Sequence, residues 1–473
     1  MKNIRTYWRE IILAVSMMMF SSYFTVVSFL RYTNFYAGRF DLGNMSQTVW
    51  NTLHGRIFQL TDPNGIETVS RLATHADYIL VLLAPFYAIW SDPRMLLLIQ
   101  VVVVALGAIF VYLLGIEVIK NKNFALLFAL LYLLNPSVQR TIIYDFHAVV
   151  LSTTFLLGAL YFLIKKNYFP FLLCAILAAL TKEQVWLTLS FFGIYLILID
   201  KKRLFGSILF LSSIIIFYYL VSYAIPQAAK SQHFVLSYYS DYGVSPTQIA
   251  KNILKAPLKS LATIVAPNRQ TFIWQLLSPL VVLPLAAPLY LLFIIPELFL
   301  YLLSSNNNLH EIYYQYTATL TPFLFVAALY GFVSLQERNK LFYERSVLIG
   351  MFALAIFFSY LYSPLPFSNE PNLAMFTKKQ ENKQEINKYL ASVPSNLSVA
   401  TSNSLGSHLA NRKDIYTIPN GLEKADLVLF MLNDTTAYPS PKAHRNLEQQ
   451  LEKSGKYILD YQIGDFVVLK RIK

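Results

Sequence analysis

The carboxylate best placed for chemistry is Asp41, in Phe40-Asp41-Leu42-Gly43 directly after the first long apolar run. Gln47, Trp50 and Asn51 follow it, and Thr74-His75-Ala76-Asp77 closes the same polar stretch. An Asp beside a hydroxyl can take its proton as general base, which is worth about 10²–10⁴-fold in rate. It can equally hold a metal, orient another group, or cap the helix that opens at Leu42. His75 can donate to a phosphate, ligate a metal or act as general acid. With His147 and His310 it can form a cluster drawn from three loops, the alternative being interfacial histidines bonded to backbone. No pair of these has the close helical spacing of a zinc motif. Lys182-Glu183 interrupts two apolar runs, and a charged pair beside lipid is expensive unless used or mutually satisfied. Either Glu183 positions an acceptor while Lys182 meets a phosphate, or the two pair with each other in a turn. Arg71 and Arg140 offer planar forks suited to phosphate.

Lys251, Lys255 and Lys259 recur every four residues opposite Ile249, Ile253 and Leu261, on an amphipathic helix opened by Ser245-Pro246. Such lysines either snorkel toward lipid headgroups or wall a phosphate site. Glu297, after Pro296 in an apolar run, is either functional or a cap for broken helix backbone. Tyr313, Tyr314 and Tyr316 form an aromatic belt, with sugar stacking as the alternative role.

The elements that must position these groups are membrane helices. Of 473 residues, 56% are hydrophobic and 14% charged, against roughly 45–50% and about 25% in soluble domains. Long charge-free runs such as 148–164, 207–225 and 346–363 approach the roughly 20 residues that span a bilayer. Lipid offers the backbone no partners, so these runs are helices. The first, 11–30, follows Lys2, Arg5 and Arg9 but is too long for a signal h-region and is read as a retained helix. The lone Cys174 excludes disulfides and cysteine-based metal sites. The net charge of +13 reflects orientation and anionic headgroups rather than nucleic acid.

Basic clusters at Lys2/Arg5/Arg9, Lys120/Lys122, Lys165/Lys166, Lys201/Lys202/Arg203 and Arg338/Lys340/Arg345 border spans, and the positive-inside rule places them in the cytoplasm. The loop 31–77, Tyr144-Asp145-Phe146-His147, Lys182-Glu183, the loop 226–275, the loop 304–316 and everything after 364 then fall outside. Residues 78–91 are short for a span and read as a helix ending at Asp92-Pro93, with one passage through 95–116. Further spans are expected at 123–136, 147–164, 169–181, 184–199, 204–225, 276–303 (one kinked span or a hairpin), 317–334 and 346–363. The expected fold is thus an α-helical polytopic membrane protein with about ten to twelve crossings, occupying 1–363.

Ser363-Pro364-Leu365-Pro366 opens a linker, 364–377. Residues 378–473 read as a small α/β domain: a helix over 378–393, β-like runs at 397–401, 414–418, 426–432, 456–462 and 465–470, and a helix near 443–454. It has no glycine-rich phosphate fingerprint.

Phe40-Asp41-Leu42-Gly43 with Gln47, Trp50 and His75 resembles a family of bacterial and archaeal multi-pass membrane proteins known as a domain of unknown function. So do Asp145-Phe146-His147, Thr181-Lys182-Glu183, Pro296-Glu297, and His310 with Tyr314-Gln315-Tyr316 ahead of Pro322-Phe323. The resemblance covers roughly 10–470, and the family looks like a branch of the C-type glycosyltransferases. It implies an enzyme of the cytoplasmic membrane, with its N-terminus cytoplasmic and its C-terminal domain extracytoplasmic. Such an enzyme moves a sugar from a polyprenyl-phosphate carrier to a glycan, lipid or protein acceptor. Asp41, His75 and Glu183 would be catalytic. Arg71, Arg140, His147, Lys182, Lys251, Lys255, His310 and Gln315 would bind substrate or phosphate. A divalent metal would draw on Asp41, His75, His147 and His310, although Asp41 lacks the neighbouring acid that many such enzymes carry. The competing expectations are a transporter or flippase of a lipid-linked substrate, against which the absence of internal repeats argues, and a non-catalytic scaffold or sensor.

Overall fold

The structure, a computed structural model, describes residues 2–338 and 344–472; Lys340 of the fifth basic cluster lies outside the described residues. The helices are α1 (Lys2–Thr33), α2 (Asn44–Leu53), α3 (Ile79–Ile89), α4 (Arg94–Ile119), α5 (Lys122–Leu134), α6 (Pro136–Tyr144), α7 (Ser152–Ile164), α8 (Tyr168–Ala179), α9 (Val185–Leu198) and α10 (Arg203–Tyr219), followed by shorter ones and by Thr321–Arg338 and Glu344–Tyr362. Among the described residues five helical stretches are long and apolar enough to cross a membrane: Tyr7–Thr33, Arg94–Ile119, Lys122–Tyr144, Arg203–Ala229 and Glu344–Tyr362. α7, α8 and α9 are shorter and equally apolar. Helices in lipid gain little from apolar contact as such and need close backbone approach. At α9 and α10 Gly193 and Gly206 supply it: a Cβ on either would lie 2.6 Å from backbone of the other helix.

α5 passes into α6 at Asn135, whose side chain accepts the N–H groups of Ser137 and Val138, with Pro136 in the first helical position, where no N–H is needed. At one end of the bundle Glu10 accepts from Tyr112 and Lys122, Glu117 pairs with Lys120 and Lys165, and Glu344 accepts from Asn121 and Asn123. The basic connections therefore gather there. At the other end Arg31 donates to Tyr144 O (2.9 Å), and the Ile79 N–H donates to Leu180 O (2.9 Å). α3 also ends here, since Ser91 O accepts from Asn411 of the C-terminal domain (3.0 Å). Residues 78–91 thus leave and rejoin the same end, and the crossing is made by α4.

The stretch 276–303 is neither a single kinked span nor a simple hairpin. It breaks into a helix ending at Leu277, two tight turns at Ser278–Leu280 and Leu283–Ala286, a short helix Pro288–Leu291 and a helix Ile295–Leu303. Pro279, Pro284, Pro288 and Pro296 each remove a backbone donor, so the helical ladder is interrupted repeatedly. The irregular part is buried in protein, where such backbone is tolerated at membrane depth: Leu283 and Ala286 pack against Gly331, and Tyr290 and Phe293 stack on Tyr330 and Phe323.

A two-stranded ribbon, β1 (Gln59–Thr61) and β2 (Thr68–Ser70), lies in the first connection. Beyond the helices, β3 (Val399–Thr401), β4 (Ile415–Thr417), β5 (Leu427–Met431), β6 (Tyr457–Ile463) and β7 (Phe466–Arg471) form a sheet in the order β4-β3-β5-β7-β6. β4, β3 and β5 run parallel, with Thr401 beside Thr417 and Leu429, whereas β7 is antiparallel to β5 and β6. The helix Lys383–Ser392 covers one face through Ile386 and Leu390, and Pro441–Lys453 covers the other through Leu447 and Leu451. This sheet docks on the first connection: Ser407 Oγ donates to Ala37 O (2.6 Å), and Gln47 Nε2 donates to Lys413 O (2.8 Å).

Candidate active site

Asp41 sits on a single wide helical turn, Arg39–Gly43, of the kind that often marks functional sites. The turn is held from below by Arg39, fully buried, whose guanidinium donates to Gln47 Oε1 (2.7 Å), Thr61 O (3.1 Å) and Asn44 Oδ1. From above, Asn403 Oδ1 accepts the Arg39 and Phe40 N–H groups (2.9 and 3.2 Å). Asp41 Oδ1 lies 3.2 Å from His147 Nε2, and its other oxygen has no hydrogen bond among the described residues. His147 is itself placed by its N–H donating to Gln100 Oε1 (2.9 Å) and by stacking on Tyr144. Burial raises the Asp41 carboxyl, but the bond and charge of His147, with Arg71 nearby, outweigh it and leave the group below the usual carboxylate range.

Beside this pair lies a second cluster. Glu183 accepts from His75 Nδ1 (2.9 Å), the Ala76 N–H (3.1 Å) and His233 Nε2 (3.4 Å). Burial opposes its charge, but His75, His233 and Lys182 hold it well below the ordinary range. Its ionisation fixes both histidine tautomers, so His75 Nε2 keeps a free lone pair. Burial, with Lys182 and Arg71 acting the same way against Glu183, pushes His75 down to about 4, so the ring is neutral at physiological pH. Lys182 is half-buried, without a hydrogen bond or ion pair among the described residues. It lies over the Tyr316 ring (5.5 Å), and burial draws its amine below the usual lysine range. Arg71 and Asp77 form a buried two-pronged pair, Nη2 to Oδ2 at 2.8 Å and Nε to Oδ1 at 3.1 Å. Removing one partner of such a pair strands the other charge at a cost of about 3–5 kcal/mol. Arg71→Met is therefore expected to lower the melting temperature of the detergent-solubilised chain markedly, and adding Asp77→Asn to recover most of the loss. A single variant that melts like wild type would show the pair to be energetically idle.

Two cavities meet at these residues. A polar one of about 160 Å³ is lined by Asp41, Arg71, His75, His147, Lys182 and Gln315. An apolar one of about 490 Å³, walled by residues such as Val221, Ile253 and Leu300, shares His75, Lys182, Gln315 and Tyr316 with it. Gln315 Oε1 is buried without a partner among the described residues.

The structure brings Asp41, Arg71, His75, His147, Lys182, Glu183 and Gln315 together and leaves four expected residues elsewhere. Arg140 is pinned under the linker, donating to Tyr362 O (2.5 Å) and Glu370 O (3.2 Å) with Tyr313 stacked on it, so its fork is occupied. His310 is buried near Arg269 and lines neither cavity, which undoes the three-histidine cluster. Lys251 and Lys255 are exposed on the far side of the helix Pro246–Lys255, which turns Ile249, Ala250, Ile253 and Leu254 to the apolar cavity. Glu297 is satisfied by the hydroxyls of Thr188, Tyr301 and Thr319. His233 escaped the sequence reading; its one signal is being among only 7 histidines and lying in a polar loop on the site side.

A metal set of Asp41, His75, His147 and His310 does not assemble. Instead His75, Glu183 and His233 present ligand atoms within 4.8 Å of one another, a donor set that suits zinc. The nitrogens that converge are those bonded to Glu183, His75 Nδ1 and His233 Nε2, so a bound ion would take the place of the protons they share with it.

The fold, a broken bundle of apolar helices with a polar cavity at one end and a small sheet domain docked there, has counterparts among solved structures. The crystal structure of ArnT from Cupriavidus metallidurans bound to undecaprenyl phosphate is similar over 96% of this chain and 98% of that one, at 11% identity and a TM-score of 0.51. The archaeal oligosaccharyltransferase AglB from Archaeoglobus fulgidus, in complex with an inhibitory peptide and a dolichol-phosphate, matches over 91% of this chain and 70% of its own at 12% identity and a TM-score of 0.46. No curated protein matches the chain. The chain belongs to the family described as predicted membrane protein (DUF2079), whose model matches residues 31–469.

Proposed function

We propose that this membrane protein transfers a sugar from a polyprenyl-phosphate carrier to an acceptor hydroxyl at the outer face of the cytoplasmic membrane, its basic connections lying in the cytoplasm. The observation that carries this reading is the junction of the two cavities, where an uncommitted lysine stands between a lipid-sized apolar space and a carboxylate. The carrier tail lies in the apolar cavity and its phosphate meets Lys182 and Gln315. Asp41, oriented by His147, takes the acceptor proton. The acceptor oxygen attacks the anomeric carbon, the bond from that carbon to the phosphate oxygen breaks, and polyprenyl phosphate leaves with both electrons, inverting the anomeric centre. Lys182 stabilises the charge that develops on the leaving phosphate.

His75, Glu183 and His233 would hold a divalent cation, which would add positive charge beside the same phosphate. Elemental analysis of the purified chain is expected to find one zinc-like ion per chain, lost in His233→Ala and retained in His310→Ala. Equal metal content in the two variants would remove the assignment.

The proposed activity is tested by native mass spectrometry of lipid that co-purifies with the chain, followed by transfer from a radiolabelled polyprenyl-phosphate sugar to cell-envelope acceptors. Retained polyprenyl phosphate and labelled product are expected. A chain that carries no polyprenyl lipid and forms no product would not be a transferase of this type.

A further inference from the structure

We propose that the C-terminal sheet carries a saccharide-binding crevice separate from the Asp41 cavity, which holds the acceptor glycan; the word acceptor, though not the binding, rests on the glycosyltransferase reading. The crevice, about 290 Å³, lies beyond the carboxyl ends of the adjacent parallel strands β3 and β5. The chain leaving β3 packs Leu405 and Leu409 on the face covered by Ile386, while the chain leaving β5 packs Leu447 and Leu451 on the opposite face. Neighbouring strands whose exits part in this way leave a cleft between them, the place where open α/β sheets bind ligands.

Two of the groups lining it are buried and uncommitted. Ser404 Oγ, in a residue 7% exposed, and Asn34 Oδ1, in one 5% exposed, have no partner among the described residues. The Asn34 amide donates to Met375 O (2.7 Å), which fixes its carbonyl oxygen as the free acceptor. A hydroxyl that can donate or accept, beside a fixed acceptor, complements sugar hydroxyls, which do both. The Asp434 carboxylate is engaged within the protein, accepting from the Ser404 N–H (2.9 Å), the Thr436 N–H (2.7 Å) and the Thr436 hydroxyl (2.6 Å). Lys378 and Lys379 stand exposed at the mouth without a carboxylate partner among the described residues, which selects a saccharide bearing negative charge at its outer end.

The crevice is joined to the reaction cavity by one turn of chain. Gly38 lines it, and Asp41 lies three residues on. A Cβ on Gly38 would lie 2.8 Å from the Asn403 amide, the same side chain that accepts the Arg39 and Phe40 N–H groups. A glycan seated here thus rests against the turn that carries the proposed base.

The test is saturation-transfer NMR with titration on the full chain in lipid nanodiscs, using a neutral gluco-oligosaccharide and an oligogalacturonate as probes. The oligogalacturonate is expected to bind about tenfold more tightly than the neutral probe. Its binding should be unchanged in Asp41→Asn and weakened about 3- to 10-fold in Ser404→Ala, the worth of one hydrogen bond. The preference between probes should vanish in Lys378→Glu/Lys379→Glu. Since the Ser404 hydroxyl has no hydrogen-bond partner among the described residues, its removal should leave folding intact. Binding of neither probe, or binding lost in Asp41→Asn and unchanged in the crevice variants, would overturn the proposal. Saccharide binding without sugar transfer would uphold the crevice and overturn the transferase reading instead.

Discussion

Asp41→Asn is expected to cut sugar transfer by about 10²–10⁴-fold, the range for loss of a general base, while donor binding and folding stay near wild type. The asparagine carbonyl still meets His147 Nε2 as the carboxylate does at 3.2 Å, and the turn is held by Arg39 and Asn403 rather than by Asp41 itself. What is removed is the basic oxygen alone, so the loss falls on kcat and not on KM. In cells making either chain at equal membrane abundance, lipid mass spectrometry should show the polyprenyl-phosphate sugar accumulating and one glycosylated product disappearing in the variant, which would also identify both substrates. The pH dependence has a definite sign. A depressed carboxyl is ionised above its folded pKa and loses its proton-accepting form only as pH falls through that value. The Asp41 carboxyl lies below the usual range, so it imposes no fall in rate between neutral and mildly acid pH. Unchanged products and donor pools in Asp41→Asn would move the protein toward transport or scaffolding.

The legible part of the fold was whatever depends on local pattern. The apolar runs became helices, and the five short β-like runs after 397 all became strands, from Val399–Thr401 to Phe466–Arg471, because alternation and β-branched content act over neighbouring residues. Prolines announced that 276–303 would break, but where the pieces go depends on what they pack against, and the path proved more fragmented than a kink. In the site, groups near one another in sequence, or carried by a motif, were found. Their partners were not, since a pairing such as Glu183 with His233 is made only when loops 50 residues apart converge. Arg140 misled for the same reason: a buried guanidinium looks like a phosphate ligand until the linker carbonyls that occupy it come into view. Lys251 and Lys255 do share one face of an amphipathic helix, but that helix ends at Lys255, and Lys259 and Leu261 stand on the next helix, Pro257–Ile264; nor does spacing say which face meets the cavity. The apolar one does.

Lys182→Gln should weaken binding of the polyprenyl-phosphate donor by roughly 10- to 150-fold, the equivalent of about 1.5–3 kcal/mol for a hydrogen bond to a charged group. Two features make this residue the place to expect a large effect. It lines both cavities, so a carrier whose tail and head occupy them must set its phosphate beside this amine. It also has no ion pair among the described residues, whereas Arg71 is committed to Asp77 and Arg140 to the linker. A cation held half-buried without a salt-bridged anion is costly in the free protein and is relieved by an anionic ligand. The loss should therefore appear in donor affinity, read by titrating the chain in nanodiscs with short-chain polyprenyl phosphate. Lys182→Arg should recover most of it, because charge is kept and only the shape changes. Binding that tolerates Gln as well as Arg would mean the phosphate lies elsewhere. With the neutral Gln variant weak and the Arg variant strong, position and charge would together assign the headgroup site, independently of whether Asp41 is the base.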